Sequence, residues 1–190
     1  MGFCIVSLDT PSHQCRGMAL FYKGSPRFMS ESHQQHGPNV ISFNLVTGGR
    51  YWNMVGCCLM PRDASTLESI SVAIGHRTRG SEILVASNFN IDLESPDGNK
   101  CDKAIVEAIA IDGIEDMAEH YLPCNLPWKS YRWTCIIIHH GQEVRSQMDY
   151  ILGTDRHLFL NVSVRDPRHN TEHYMVLGCL HGVTLREHQH

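Results

Sequence analysis

Two spacings of apolar residues divide the chain. In its first third they recur at every second position, the period of a half-buried strand. Val40-Ile41-Ser42-Phe43-Asn44-Leu45-Val46 alternates, Thr47-Gly48-Gly49-Arg50 supplies a hairpin turn, and Tyr51 to Leu59 returns as the partner strand. Phe3 to Leu8 and Gly17 to Tyr22 read as shorter strands, so this third is predicted to be mostly antiparallel sheet. Ser30 to Gly37 is polar and rich in histidine, which predicts a surface loop, with His33 and His36 as loop residues rather than metal ligands.

After Pro61 the spacing changes to three and four. Asp63 is predicted to open a helix in which Ser65 and Glu68 form a capping box and Leu67, Ile70 and Ile74 make an apolar stripe. Ile83-Leu84-Val85-Ala86 then reads as a strand buried on both faces, ending abruptly in Ser87-Asn88-Phe89-Asn90. Asp102 to Ile111 predicts a second helix, with Ile105 and Ile109 one turn apart and Gly113 as its stop. A shorter helical piece is expected over Glu115 to His120, and the proline-containing stretch Leu122 to Ser130 reads as an irregular loop. Strands return at Arg132 to Ile138, at the alternating run Val144 to Leu152, and at Tyr174 to Leu180, which is expected to be buried. Polar loops are expected over Glu94 to Lys100 and Asp166 to Glu172. No internal repeat or linker interrupts this order, which predicts a single mixed α/β domain over residues 1–190 with a polar tail at 181–190.

Composition narrows the chemistry. With 190 residues, 42% of them hydrophobic, the chain can bury one sizeable core. A formal net charge of −4 excludes a generally basic nucleic-acid binder, although Arg132, Arg145, Arg156, Arg165, Arg168 and Arg186 all fall in the last third. The eight cysteines contain no C-x-x-C pair and read as reduced intracellular thiols, several of them buried. The opening Met1-Gly2-Phe3-Cys4-Ile5-Val6-Ser7 is too short an apolar run for a signal peptide and misses the myristoylation pattern at Val6. No segment approaches transmembrane length. An intracellular protein without a membrane anchor is expected.

Three polar sites stand against apolar strands: Asn88 with Asn90, Asp149, and Glu172-His173. A carboxylate on a half-buried strand must be paired or solvated, since burying it alone costs several kcal/mol. A histidine at the mouth of another strand is a fitting partner, because an Asp–imidazole contact fixes the tautomer. The expectation is that positions 88, 149 and 173 converge in one pocket.

These same stretches carry a family likeness. Ser87-Asn88-Phe89-Asn90, Gln147-Met148-Asp149-Tyr150-Ile151-Leu152 and Thr171-Glu172-His173 resemble, in order, G-D-F-N, R-x-D-Y-I-L and S-D-H, motifs of the endonuclease/exonuclease/phosphatase superfamily. The likeness is greatest to the endonuclease domain of non-LTR, LINE-type retrotransposons. It runs from about Phe3 to Leu180 and includes Arg132-Trp133-Thr134, where the family often has a Thr-Trp pair. What the resemblance implies is a DNase I-like sandwich of two sheets flanked by helices, cleaving phosphodiesters of DNA with Mg²⁺ or Mn²⁺, with the nucleus as its workplace. By likeness, His173 would contact the phosphate, Asp149 would hold it, Asn90 would orient the nucleophile or the scissile group, position 88 would handle a proton, and Glu172 would help bind metal.

The chain also departs from the pattern. Asn88 stands where the family has Asp, and a carboxamide does not exchange protons near neutral pH. Glu172 is one methylene longer than the family's Asp, and Cys58 replaces an expected tyrosine. The family's first strands carry an Asn and a Gln-Glu whose Glu is a metal ligand. Nothing before Phe3 supplies these, and Glu31 is the only carboxylate between Thr10 and Arg50. The resemblance therefore implies a domain lacking its first strands and impaired as a catalyst, with a non-catalytic relic or phosphate-binding module as the alternative. A more remote alternative is the inverted zinc-protease motif spelled by His169-Asn170-Thr171-Glu172-His173, which requires a helix.

Overall fold

A computed structural model describes residues 4–7, 19–22, 27–47, 49–59, 64–91, 100–111, 113–121, 133–165 and 173–180. In chain order the elements are β1 (Cys4–Ser7), β2 (Ala19–Tyr22), β3 (Arg27–Gly37), β4 (Val40–Thr47), β5 (Arg50–Cys58), α1 (Ala64–Gly75), β6 (Glu82–Asn88) and α2 (Lys100–Ile111). They continue with β7 (Glu115–Asp116), α3 (Met117–Tyr121), β8 (Cys135–His139), β9 (Gln142–Ser146), β10 (Asp149–Gly153), β11 (Phe159–Arg165) and β12 (Met175–Leu180). A short 3-10 turn at Arg156–Leu158, capped by the Asp155 side chain, leads into β11.

The backbone of the fold is a six-stranded sheet in the order β3-β4-β5-β6-β10-β7. The β4–β5 hairpin forms in the register that the alternation dictates, Val40 opposite Cys57 through Thr47 opposite Arg50. From β5 the chain crosses over through α1 and returns as β6, parallel to β5, while β10 enters antiparallel on the other side of β6. The central strand thus has neighbours on both edges, which is why its apolar run tolerates no polar interruption until it ends.

Two apolar layers form because successive side chains on a strand point to opposite faces. On one face Val55, Cys57, Ile83, Val85, Tyr150 and Leu152 pack against Ile70, Ala73 and Ile74 of α1 and Ile105 of α2. Gly113, at φ +65°, closes the turn after α2 in a conformation that glycine adopts without cost. On the opposite face Phe43, Leu45, Trp52 and Leu84 meet Phe159 and Val162 of β11, with Val176 and Leu180 of β12 alongside. The approach is close at Gly178, where a Cβ would stand 3.1 Å from Ile151 Cδ1. Sheet packs on sheet on one side and helices on the other, the two-sheet sandwich with flanking helices that the resemblance implies.

Several local expectations are corrected. The histidine-rich stretch is not a loop but most of β3, whose polar residues suit an edge strand paired only with β4. There His36 Nε2 lies 2.7 Å from Ser42 Oγ, and the ring stands edge-on to His76 at 5.5 Å. Ser65 falls in the first turn of α1, and Asp63 lies outside the described residues. Glu115–Asp116 pairs with β10 before the chain turns helical. The run Val144 to Leu152 is two strands, not one: β9 pairs with β8 in a hairpin and β10 joins the large sheet, with Gln147-Met148 as the break. The final strand is half-exposed rather than buried, with Leu177 37% exposed. The expected loops at 94–100, 122–130 and 166–172, and the tail at 181–190, fall wholly or largely outside the described residues.

Candidate functional site

The polar ends of three strands meet beside β6. Across the large sheet Cys58, Asn88 and Asp149 are successive register partners, so their side chains share one face. Each is held by its own local chemistry.

Asn88 is the last residue of β6, and its side chain turns the chain. Asn88 Oδ1 accepts the backbone N–H of Asn90 at 2.9 Å, and Asn90 adopts a left-handed conformation at φ +53°. Asparagine tolerates that region better than most residues. Between them Phe89 is only 1% exposed, tilted against Tyr150 at 5.7 Å, and plugs the helix-covered core. Its N–H donates to Met148 O, while Leu59 N–H donates to Asn88 O. The Asn90 side chain donates from Nδ2 to Leu59 O at 2.7 Å. The turn is therefore tied to both neighbouring segments.

Asp149 is placed by a residue that carried no assigned role in the sequence. Thr134 is fully buried, and its Oγ1 accepts from the backbone N–H groups of both Met148 and Asp149, each at 2.8 Å. The same residue donates its own N–H to Ser146 O and accepts Tyr174 N–H on its carbonyl. One side chain and one peptide thus bind the base of the β8–β9 hairpin, the start of β10 and the approach to β12. Just downstream, the Tyr150 hydroxyl donates to Gln147 O at 2.9 Å. The only hint in the sequence was the Thr after Trp133; nothing there told that its hydroxyl would serve two amides.

His173 bridges to Cys135 of β8, in extended rather than helical backbone. Its Nδ1 lies 2.8 Å from Asp149 Oδ2. An ionised carboxylate only accepts, so Nδ1 carries the hydrogen. The imidazole is 38% exposed and the carboxylate 21%, so the pair faces solvent and contributes little to stability. Asn88, Asn90, Asp149 and His173 are thus brought together, whereas His169 and Glu172 lie outside the described residues. Of the inverted zinc-protease stretch only His173 is described, in extended backbone. Beside the site the β8–β9 hairpin carries Arg145 over the Trp133 ring at 4.5 Å and exposes Ile138 near its tip.

Compared with solved structures, the chain matches the endonuclease domain of TRAS1, a telomere-specific non-LTR retrotransposon, with a TM-score of 0.71 over 95% of this chain and 80% of that one, at 12% identity. This is the endonuclease/exonuclease/phosphatase fold. An endonuclease/exonuclease/phosphatase family protein from Leptotrichia buccalis C-1013-b shares that fold at a TM-score of 0.63, 13% identity, and 95% and 72% coverage. An AP endonuclease from Archaeoglobus fulgidus does so at 0.64, 12% identity, and 94% and 79% coverage. No family profile matches the sequence, and no curated protein does. At such identities the endonuclease/exonuclease/phosphatase likeness is one of fold. Among the described residues no helix is long and apolar enough to cross a membrane.

The divalent metal that the resemblance implies can be tested against the side chains that share the site. Mg²⁺ takes oxygen ligands in near-octahedral geometry, usually one or two carboxylates plus substrate phosphates. Here Asp149 has one oxygen engaged by His173, and Asn88 has its oxygen engaged by the Asn90 amide. Among the described residues no three His, Cys, Asp or Glu side chains gather around a common point. The donor set among the described residues, which does not include Glu172, does not fit a resident divalent ion by itself.

Proposed function

We propose that this chain is a nuclease-fold protein of retrotransposon origin that engages a phosphodiester of DNA at the Asp149–His173 pair and cleaves it slowly or not at all. The observation that carries the reading is the 2.8 Å contact between His173 Nδ1 and Asp149 Oδ2, placed beside Asn88 at the end of the central strand. Asp149 fixes the ring by one nitrogen, and a half-exposed imidazole held in this way meets a phosphate with its other edge. Asn90 is fixed by Leu59 O and would orient the scissile group. Retrotransposon origin rests on the three motifs together with the shared fold.

Slow turnover follows from Asn88. An amide accepts and donates hydrogen bonds but moves no proton near neutral pH, and loss of a positioned acid–base group costs about 10²- to 10⁴-fold in rate. The test is nicking of supercoiled plasmid with Mg²⁺ or Mn²⁺, run alongside binding of a short labelled DNA duplex. Binding that is lost on His173→Ala, with nicking at or below detection, is the expected result. Brisk nicking by the unaltered chain, ended by His173→Ala, would overturn the slow-turnover reading. Binding indifferent to His173→Ala would overturn the site itself.

A further inference from the structure

The amide at position 88 has a fixed sense. A backbone N–H can be received only by an acceptor, so the bond from Asn90 N–H to Asn88 points Oδ1 at the turn and leaves Nδ2 on the opposite edge of the amide. Nδ2 makes no hydrogen bond among the described residues, and the side chain is half-exposed at the open end of β6. Two N–H donors are thus offered on the face that carries Asp149. A carboxylate in the same place would offer only acceptors. Standing next to Asp149 in register, it would repel a phosphate unless a cation lay between them.

We propose that this pocket takes a phosphodiester or phosphate group without a divalent metal, the Asn88 Nδ2 donors meeting a phosphate oxygen directly where a carboxylate would have required a bridging cation. The proposal rests on the reading of Asp149 and His173 as a phosphate-contacting pair and adds to it the electrostatic sense of the site. The poor fit of the donor set to Mg²⁺ and its good fit to an anion are then one fact seen from two sides. Charge follows the same logic: Asn88 leaves the pocket one negative charge fewer than a pair of carboxylates would.

The experiment is a fluorescence-anisotropy titration of the full chain with a short fluorescein-labelled DNA duplex, and a parallel titration with inorganic phosphate followed by NMR. Both are run in EDTA and in Mg²⁺ at matched ionic strength. The unaltered chain is expected to bind equally in the two buffers. Asn88→Asp keeps an oxygen for the Asn90 amide and so keeps the turn, which a thermal melt verifies. It is expected to bind about tenfold or more weakly in EDTA, the loss typical of one hydrogen bond to a charged group, and to regain affinity with Mg²⁺. Binding by the unaltered chain that disappears in EDTA, or Asn88→Asp binding identical in both buffers, overturns the proposal. His173→Ala separates the levels: if it leaves binding intact, the site reading has failed, whereas if it abolishes binding and Asn88→Asp changes nothing, only the role given to the Asn88 donors has failed.

Discussion

Two histidines lie toward opposite edges of the large sheet, His36 on β3 and His173 against Asp149 of β10, and their surroundings differ in kind. His173 faces a carboxylate, Asp149, at the mouth of the central strand. His36 lies on the edge strand against Ser42 and a second imidazole, His76. Partial burial, and then the neighbouring His76, hold the His36 ring below the ordinary histidine range. One ring is oriented by an anion that would tolerate its charge; the other is placed where charge is unwelcome. The same residue type is thus a candidate ligand-binding group at one end and a structural fastening at the other, and the partner decides which.

That contrast can be broken at several strengths. The largest effect is expected from Phe89→Ala, because the ring is almost wholly buried between Asn88 and Asn90. A loss of about 3–5 kcal/mol, read by urea unfolding, would show that the turn at the site is built on the core. Thr134→Val comes next. It leaves the Met148 and Asp149 amides without their acceptor, at about 1–3 kcal/mol, and should release His173 from Asp149, visible in imidazole ¹H–¹⁵N spectra; Thr134→Ser should preserve both. If Thr134→Val leaves the spectra unchanged, Thr134 is not what positions the pair. Asp149→Asn should alter stability by no more than about 1 kcal/mol, since the pair is partly exposed, while weakening DNA binding in the anisotropy assay.

The opposite end of the sheet should answer to pH. The folded pKa of His36 is depressed, so between it and the unfolded value the unfolded chain binds more protons. Its contribution is therefore fully present above the ordinary histidine pKa and declines as pH falls through that value toward the folded one. Thermal melts of the unaltered chain and His36→Gln, compared from about pH 8 to about pH 5, should show a steeper acid-side loss for the unaltered chain. Equal slopes would remove His36 from the account. The smallest effect concerns Cys57, whose thiol burial pushes up to about 12, a rise that nearby Cys58 reinforces. Iodoacetamide at mildly alkaline pH should modify exposed Cys179 well before Cys57, as peptide mapping would show.

Much of this architecture could be read from the order of side chains. The β4–β5 hairpin, the stripe of α1, the stop at Gly113 and the central strand from Glu82 to Asn88 all follow from local periods and turn residues. These features were legible because each is settled within a few residues of chain. The polar edge strand β3 was not, since only its place beside β4 makes a polar strand stable. Nor was the break at Gln147-Met148: the alternation runs unbroken through it, and only the anchoring of Met148 and Asp149 on Thr134 ends one strand and starts another.

The sequence by itself determined which chemical groups are available: an imidazole, two carboxylates and two amides at three polar stretches, with Asn at 88 in place of an acid. Tertiary structure alone decided how they are used. The contact of His173 with Asp149 and the paired hydrogen bonds from the Met148 and Asp149 amides to Thr134 Oγ1 join segments far apart along the chain. Their geometry is fixed by strand register and sheet-on-sheet packing, and no local spacing encodes it.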